Sequence, residues 1–129
     1  MTEHHEIIES RTSKIWIDDI GIVRILKKQV NDESIEDASE NLMIIKKLTK
    51  GNPHVDLVDL SLLKNQHTSI VNHYVEQSEN INCKAVAFLT SDLHNTYLGI
   101  NNLILSEQKF PSKVFSSEEF AIEWLLSFK

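Results

Sequence analysis

The end of the chain indicates how the fold closes. Residues 109–128 read KFPSKVFSSEEFAIEWLLSF. The segment that ends at Phe115 is predicted to be extended, and Ser116 followed three positions later by Glu119 has the pattern of a capping box, which begins a helix. The apolar residues of that helix fall on one face: Ala121, Trp124, Leu125 and Phe128. A strand followed by an amphipathic helix predicts the last layer of a small α/β domain, and it does not indicate any chemistry.

The composition is that of an ordinary globular domain. The chain has 129 residues, of which 41% are hydrophobic and 25% charged, so it can bury a core without disulfides or a metal. Nineteen acidic against thirteen basic side chains give a formal charge of −6. The basic residues are scattered, and we interpret the pair Lys27-Lys28 as a solvated strand end. Since phosphate binding needs clustered basic residues, no nucleic acid partner is expected.

The sequence also predicts a compartment. No apolar run approaches the length of a membrane span, and the acidic N-terminus lacks a signal-peptide pattern. The single cysteine, Cys83, cannot form an internal disulfide, which is typical of a reducing compartment. A cytoplasmic protein without a membrane span is therefore expected.

Apolar periodicity predicts nine elements in the order ββαβαβαβα. Residues 1–12 are expected to be a flexible arm and residues 13–129 a single domain. The order predicts a mixed sheet of five strands with four helices, in which strand 14–18 lies at an edge, antiparallel to its neighbour. The predicted strands are 14–18, 20–28, 54–60, 84–90 and 111–115. The predicted helices begin at Ser34, cover about 66–79 and 93–107, and end the chain.

Two segments resemble a known family. Residues 111–115 followed by 117–125 are similar to the ending of STAS-like proteins, with a phenylalanine, an acidic turn, an alanine and Trp-Leu. Residues 85–91, AVAFLTS, resemble their fourth strand. The likeness extends from Lys14 onward and implies the fold of bacterial anti-sigma-factor antagonists and of CRAL-TRIO-like proteins. Both segments are packing motifs, so they predict architecture rather than activity.

The resemblance also implies where a phospho-switch would lie. In the antagonists a strand ends in Asp-Leu-Ser, and Asp-Ser-Ser-Gly then opens a helix whose first serine is phosphorylated. The residues 59–61 match the strand end, whereas His67, Thr68, Ser69 and Ile70 stand where the family has Asp-Ser-Ser-Gly. Thr68 and Ser69 are thus the candidate switch positions. Helix capping alone accounts for a hydroxyl there, so we expect no phosphorylation.

A few other side chains invite a chemical interpretation. A ligand crevice is predicted between the strand ends and the helices at 66–79 and 93–107, and its candidate residues are Asp59, His67, His94, Asn95 and Tyr97. Asp59 also has a simpler role, which is to accept backbone donors from the next loop. The six histidines have no cysteine or carboxylate at ligand spacing, so neither a metal nor a cofactor is expected. Cys83 is interpreted as a small, partly buried residue.

Two functions from different classes remain open. The first is a non-enzymatic regulatory or protein-interaction module of STAS-like type without the phospho-switch, acting on an unidentified protein partner or as a homodimer. The second is a small-molecule or lipid-binding module that uses the crevice. No catalytic residue is assigned, and an enzyme is not expected. Cavity volume separates the two, since a binder needs an apolar pocket of a few hundred cubic ångströms, on the order of 300 Å³ or more.

Overall fold

The computed structural model describes residues 6–30, 32–62, 73, 77, 79–90 and 111–129. Within them, six strands form one sheet whose spatial order is the chain order. The strands are β1 (Ile8–Glu9), β2 (Ser13–Ile17), β3 (Val23–Lys27), β4 (His54–Asp59), β5 (Cys83–Leu89) and β6 (Ser112–Phe115). The helices are α1 (Ile35–Thr49), a 3-10 turn (Glu79–Ile81) and α2 (Glu118–Leu126). None of these helices is long and apolar enough to cross a membrane.

The sheet is mixed, as predicted, but it has six strands rather than five. β1, β2 and β3 pair antiparallel, and β3 to β6 pair parallel. The additional strand is β1, in which Ile8 pairs with Ile15 and Glu9 with Lys14. The prediction that strand 14–18 lies at an edge is therefore wrong. β1 lies within residues 1–12, for which the sequence predicts an arm, because two residues are enough to pair with β2 but too few to show a periodicity.

Most residues of the predicted helices at 66–79 and 93–107 are not among the described residues. In the predicted helix 66–79, the described residues His73 and Gln77 are helical. Its last residue, Glu79, begins the 3-10 turn. The other residues of both helices lie outside the described residues, except residue 79. Besides the helical residues His73 and Gln77, the described part of the chain contains the helices α1 and α2, where the sequence predicts four over the whole chain.

The two faces of the sheet are covered by different helices. α1 packs on the face that carries Ile15, Val23 and Ile25. α2 packs on the opposite face, where its Ala121 and Leu125 contact a cluster built mainly from the central strands: Ile22, Val55, Leu57, Ala85 and Ala87. Because side chains alternate along a strand, the residues of β4 that flank Val55 and Leu57 point away from α2. This places His54 and Asp56 inside the protein, on the other side of the sheet.

α2 begins one residue later than its sequence suggests. Ser117, not Ser116, is the N-cap, and its hydroxyl accepts the backbone N–H of Phe120 at 3.4 Å. Ala121 and Leu125, one turn apart, occupy the centre of the buried stripe. Trp124 is half-buried at its flank, where its ring lies 5.7 Å from that of Phe115 and 4.9 Å from that of Phe128. Trp124 and Phe128, which the pattern places on the same face as Ala121 and Leu125, are therefore less buried than those two residues.

The start of α1 is fixed by a capping box. The Asp37 backbone N–H donates to the Ser34 hydroxyl at 3.1 Å, and the Ser34 backbone N–H donates to the Asp37 carboxylate at 3.0 Å. The Arg11 guanidinium adds two hydrogen bonds to the same carboxylate, at 3.2 and 2.5 Å. The hydrogen bonds from Arg11, followed by those from Ser34, hold the pKa of Asp37 well below its ordinary value. The cap therefore depends on an ionised Asp37.

We expect this cap to contribute stability that acid removes. Because the pKa of Asp37 is lower in the folded chain than its ordinary 3.8, the contribution is complete above that pH and is lost as the pH falls below it. Asp37→Asn should lower the free energy of unfolding at pH 7 by about 0.5–2 kcal/mol, as lost caps do. It should also flatten the acid side of the stability profile, measured by urea unfolding at a series of pH values. Asp32→Asn is the control, because Asp32 also pairs with Arg11 but is 83% exposed; equal acid slopes in all three proteins would contradict the assignment.

Candidate functional site

The structure describes one of the candidate site residues that the sequence suggests. Asp59 is the last residue of β4, and its carboxylate accepts the backbone N–H of Ser61 at 2.9 Å. This is the loop-binding role that an aspartate at a strand end commonly has. The remaining candidates lie outside the described residues, so their assembly into a crevice or a switch stays a prediction: His67, Thr68, Ser69, His94, Asn95 and Tyr97.

Asp59 lines a small crevice on the α2 face of the sheet. The crevice lies between β2 and β3 on one side and the first turn of α2 on the other, and its volume is about 100 Å³. This is not the location that the sequence predicts for a ligand crevice, which is beside the helices at 66–79 and 93–107. The volume is below the range of about 300–1,000 Å³ that small-molecule sites occupy. The lining residues are Trp16, Arg24, Ile25, Leu26, Leu57, Asp59 and Glu118.

The positive charge in this crevice is already neutralised. The Arg24 guanidinium donates to the Asp18 carboxylate at 2.8 Å and to the Glu118 carboxylate at 2.9 Å. Asp18 in turn accepts the backbone N–H groups of Ile20 and Ile22 in the hairpin turn. Arg24 therefore joins the hairpin to the first turn of α2, and its charge is not available to an anionic ligand.

A second, larger groove lies beside α1. It has a volume of about 250 Å³ and runs between α1 and the segment that includes the 3-10 turn. Its polar end is formed by the Ser39 hydroxyl and the His73 imidazole, which are 3.1 Å apart. The lining residues are Ser39, Leu42, Met43, Lys46, His73, Gln77, Asn80 and Ile81. The groove is too small and too polar at this end to resemble a typical apolar ligand pocket.

The outer flank of α2 exposes aromatic side chains. Phe120 is 63% exposed and Phe128 is 37% exposed, with Trp124 half-buried between them at a spacing of four residues. We call Phe120, Trp124 and Phe128 the aromatic stripe. Trp124 packs on Phe115 of β6, which is the last strand in the described part of the sheet. Three exposed carboxylates surround the stripe on the same helix: Glu118, Glu119 and Glu123.

A separate cluster of reactive side chains is buried at the start of β4 and β5. His54 and Asp56 lie on one face of β4, and Cys83, the first residue of β5, pairs with His54. The Nε2 atom of His54 is 3.3 Å from the Oδ1 atom of Asp56, and both side chains are less than 5% exposed. Among the described residues, neither atom has a hydrogen-bond partner. The ligand-type atoms of His54, Asp56 and Cys83 all lie within 4.8 Å of one another.

Burial sets the protonation of this cluster. Removal from water raises the pKa of Asp56 to about 6, against the opposing effects of His54 and Cys83. Burial, followed by the neighbouring charge of Asp56, raises the pKa of the Cys83 thiol well above its ordinary value. Cys83 is therefore protonated at neutral pH in this environment, and it does not have the low pKa of a nucleophilic cysteine.

This cluster is not predicted from the sequence. No cysteine or carboxylate has the sequence spacing of a familiar metal-binding motif with His54, and the three side chains come together only in three dimensions. His54 and Asp56, two apart in a strand, necessarily share a face, and Cys83 joins them because the neighbouring parallel strand begins beside His54. A detectable signal in the sequence is a His-x-Asp pair at the start of one predicted strand and a cysteine immediately before the next.

Known proteins that are similar to this chain agree with the fold described above. Residues 15–129 match the family DUF7793, a domain of unknown function. This chain belongs to the DUF7793 family. No protein of curated function matches the sequence. An uncharacterized protein of the DUF3478 family from Shewanella loihica PV-4, which has a SpoIIAA-like fold, aligns with a TM-score of 0.53 at 15% identity, covering 97% of this chain and 98% of that chain. This DUF7793 protein accordingly has a SpoIIAA-like, STAS-like fold, as its sequence resemblance implies, and the likeness extends to the fold alone.

Proposed function

We propose that this DUF7793 protein is a non-enzymatic regulatory module of STAS-like type that acts by binding a protein partner. The observation that carries the proposal is the aromatic stripe on α2, which leaves Phe120 63% exposed beside the half-buried Trp124. Aromatic residues are enriched at protein interfaces, whereas soluble monomers seldom expose apolar groups in contiguous patches. Trp124 contacts the rings of Phe115 and Phe128, so this part of the stripe is pre-organised before a partner binds.

The charges around the stripe favour a partner with a basic rim. Glu119 and Glu123 are exposed on the same helix beside Glu118, whose charge is partly offset by Arg24, and the whole chain has a formal charge of −6. Two copies that met through α2 would bring these carboxylates together, which is unfavourable. We therefore favour a different protein, with an apolar pocket for Phe120 and a rim of lysine or arginine side chains, over a homodimer through this face.

The two cavities lined by described residues give less support to the ligand-binding alternative, although its predicted crevice lies mostly outside those residues. The groove beside α1 and the crevice at Asp59 have volumes of about 250 and 100 Å³, below the usual size of small-molecule sites. The proposal also includes the absence of a phospho-switch at Thr68 and Ser69, which is supported by the replacement of the acidic residue and the glycine of the family motif by His67 and Ile70. The module would then act through constitutive binding.

A photo-reactive amino acid at position 120, introduced in the source organism, tests the proposal. We expect a covalent adduct with one other protein, which mass spectrometry identifies. The same amino acid at Met43, which is 72% exposed on α1, is the matched control and should not form that adduct. The purified partner should then bind the full chain in solution, and Phe120→Ser should weaken binding about tenfold or more, as interface hot spots do.

Three results would overturn the proposal. Equal adducts at positions 120 and 43 would mean that the stripe is not a specific surface. An adduct only with a second copy of this chain would establish a homodimer instead. A small molecule or lipid retained in native mass spectrometry, without a protein adduct, would favour the ligand-binding alternative.

Met43→Ser should leave the affinity for the purified partner within about twofold, because surface changes away from an interface have small effects.

A further inference from the structure

We propose that His54, Asp56 and Cys83 form a buried binding site for one zinc-like divalent cation. The three side chains supply an imidazole nitrogen, a carboxylate oxygen and a sulfur, which together are ligands typical of zinc. The inference is independent of the proposed partner surface, which lies on the opposite face of the sheet.

The separation of two ligand atoms already matches metal coordination. Zinc bonds of about 2.0–2.1 Å to nitrogen and oxygen place those atoms about 3.3 Å apart in a tetrahedron. The Nε2 atom of His54 and the Oδ1 atom of Asp56 are 3.3 Å apart. With a zinc–sulfur bond of about 2.3 Å, the sulfur would lie about 3.6 Å from each of them. All three atoms are within 4.8 Å of one another, so closure requires a movement of about 1.2 Å or less.

The unsatisfied polar atoms point to a missing ligand. The Nε2 atom of His54 and the Oδ1 atom of Asp56 are both buried and lack hydrogen-bond partners among the described residues. Buried polar atoms without partners are rare, because they lose the interactions that water provides. A cation held between them would satisfy both atoms. A hydrogen bond between the two would instead need a proton on one of them.

The surroundings of His54 favour coordination through Nε2. The Nδ1 atom of its ring lies 3.0 Å from the backbone oxygen of Asn52, to which it donates when the imidazole is neutral. This tautomer leaves the lone pair of Nε2 directed toward Asp56. Metal-bound histidines typically donate their other nitrogen to a carbonyl or carboxylate in this way. Asn52 therefore orients the ligand before the metal arrives.

The ligand set also limits the metal and its role. Calcium and magnesium prefer sites built from oxygen, so a nitrogen–oxygen–sulfur set favours zinc or cobalt. Binding would form a sulfur–metal bond and release the thiol proton of Cys83 to solvent, because the thiolate is the ligand. Three protein ligands leave a fourth position for a water molecule. Since the site is buried between two strands, it would load as the chain folds, and it would stabilise the pairing of β4 with β5.

Refolding in the presence of cobalt tests this site directly. The full chain, with His4→Gln and His5→Gln to remove the adjacent histidine pair, is unfolded with a chelator and refolded with Co²⁺ under reducing conditions. We expect one cobalt per chain, the absorption of a cobalt–thiolate bond, and the absorption of tetrahedral cobalt. Zinc added afterwards should abolish both bands. Refolding with zinc should also raise the midpoint of thermal unfolding, because the metal binds only the folded site.

The variants and outcomes separate this site from adventitious binding. Cys83→Ser should remove the thiolate absorption, and His54→Gln should lower cobalt affinity at least tenfold, as ligand loss does. His73→Gln is the control, because His73 contacts Ser39 in the groove beside α1. Folding of each variant is checked by circular dichroism. If the folded chain with His54, Asp56 and Cys83 unchanged does not bind stoichiometric cobalt or zinc, the proposal is overturned, whether or not the variants fold. A thiolate band that persists in Cys83→Ser also overturns it.

Discussion

Leu125→Ala is expected to lower the free energy of unfolding by about 2–5 kcal/mol, as truncation of a buried leucine does. The Leu125 side chain is 0% exposed and packs with Ala121 against the central strands of the sheet. Truncation removes apolar contacts and leaves a cavity, since the small alanines that surround it on β5 cannot fill the space. Equilibrium unfolding in urea, monitored by tryptophan fluorescence and circular dichroism, measures the loss.

The neighbouring leucine provides a matched control. Leu126 lies on the outer side of the same helix and is 42% exposed, so Leu126→Ala changes the same residue type and nearly the same helix position. Its effect is expected to stay within about 0.5 kcal/mol, as for most surface substitutions. Similar losses for the two variants would mean that α2 is not packed on the sheet through Ala121 and Leu125.

The fold was predictable from the sequence where the pattern is local and repeated. The apolar runs of β4 and β5 predicted central strands, because parallel strands are covered on both faces. Ser34 and Asp37 predicted the start of α1, and the capping box is present. β1 was missed because its two residues have no recognisable period. At α2, Ser116 and Ser117 both offer a hydroxyl, and Ser117 is the residue that caps the helix.

The buried polar groups were less predictable, because they depend on strand pairing. Cys83 reaches His54 only through the register of β4 and β5, which shifts between His54 and Val55. Lys27 was interpreted as part of a solvated strand end, yet it is buried. Lys27 ends a mainly apolar strand, and nothing in the neighbouring sequence indicates whether such a lysine is solvated or is buried with a charged partner. The partner that makes its burial tolerable, Glu33, lies in the next connection.

The second large effect is expected at this buried ion pair. The Lys27 ammonium donates to the Glu33 carboxylate, and the two side chains are 3% and 5% exposed. Burial lowers the pKa of Lys27, and the neighbouring Glu33 opposes that effect. The amide of Asn41 also donates to the Glu33 carboxylate, at 3.3 Å, and to the hydroxyl of Thr12, at 2.9 Å. The pair thus belongs to a polar network that fastens α1 to β2 and β3.

Lys27→Met is expected to lower the free energy of unfolding by about 3–5 kcal/mol, because it leaves the Glu33 carboxylate buried without its countercharge. Lys28→Met is the adjacent control. Lys28 pairs with Glu9 at the surface, where the two side chains are 27% and 57% exposed, and exposed pairs contribute about 0–1 kcal/mol. Urea unfolding at neutral pH compares the two variants. Losses of equal size would mean that the Lys27 side chain reaches water in solution.

A double variant separates the value of the pair from the cost of breaking it. Lys27→Met with Glu33→Met replaces both charges by apolar groups of similar length, so no uncompensated charge remains buried. Such replacements are often neutral or stabilising. We therefore expect the double variant to recover most of the stability that Lys27→Met loses, which gives a strongly non-additive cycle. An additive cycle, in which the double variant loses the sum of the two single losses, would show that the two charges do not interact. Recovery would instead mean that the ion pair adds little net stability over an apolar pair that fills the same space.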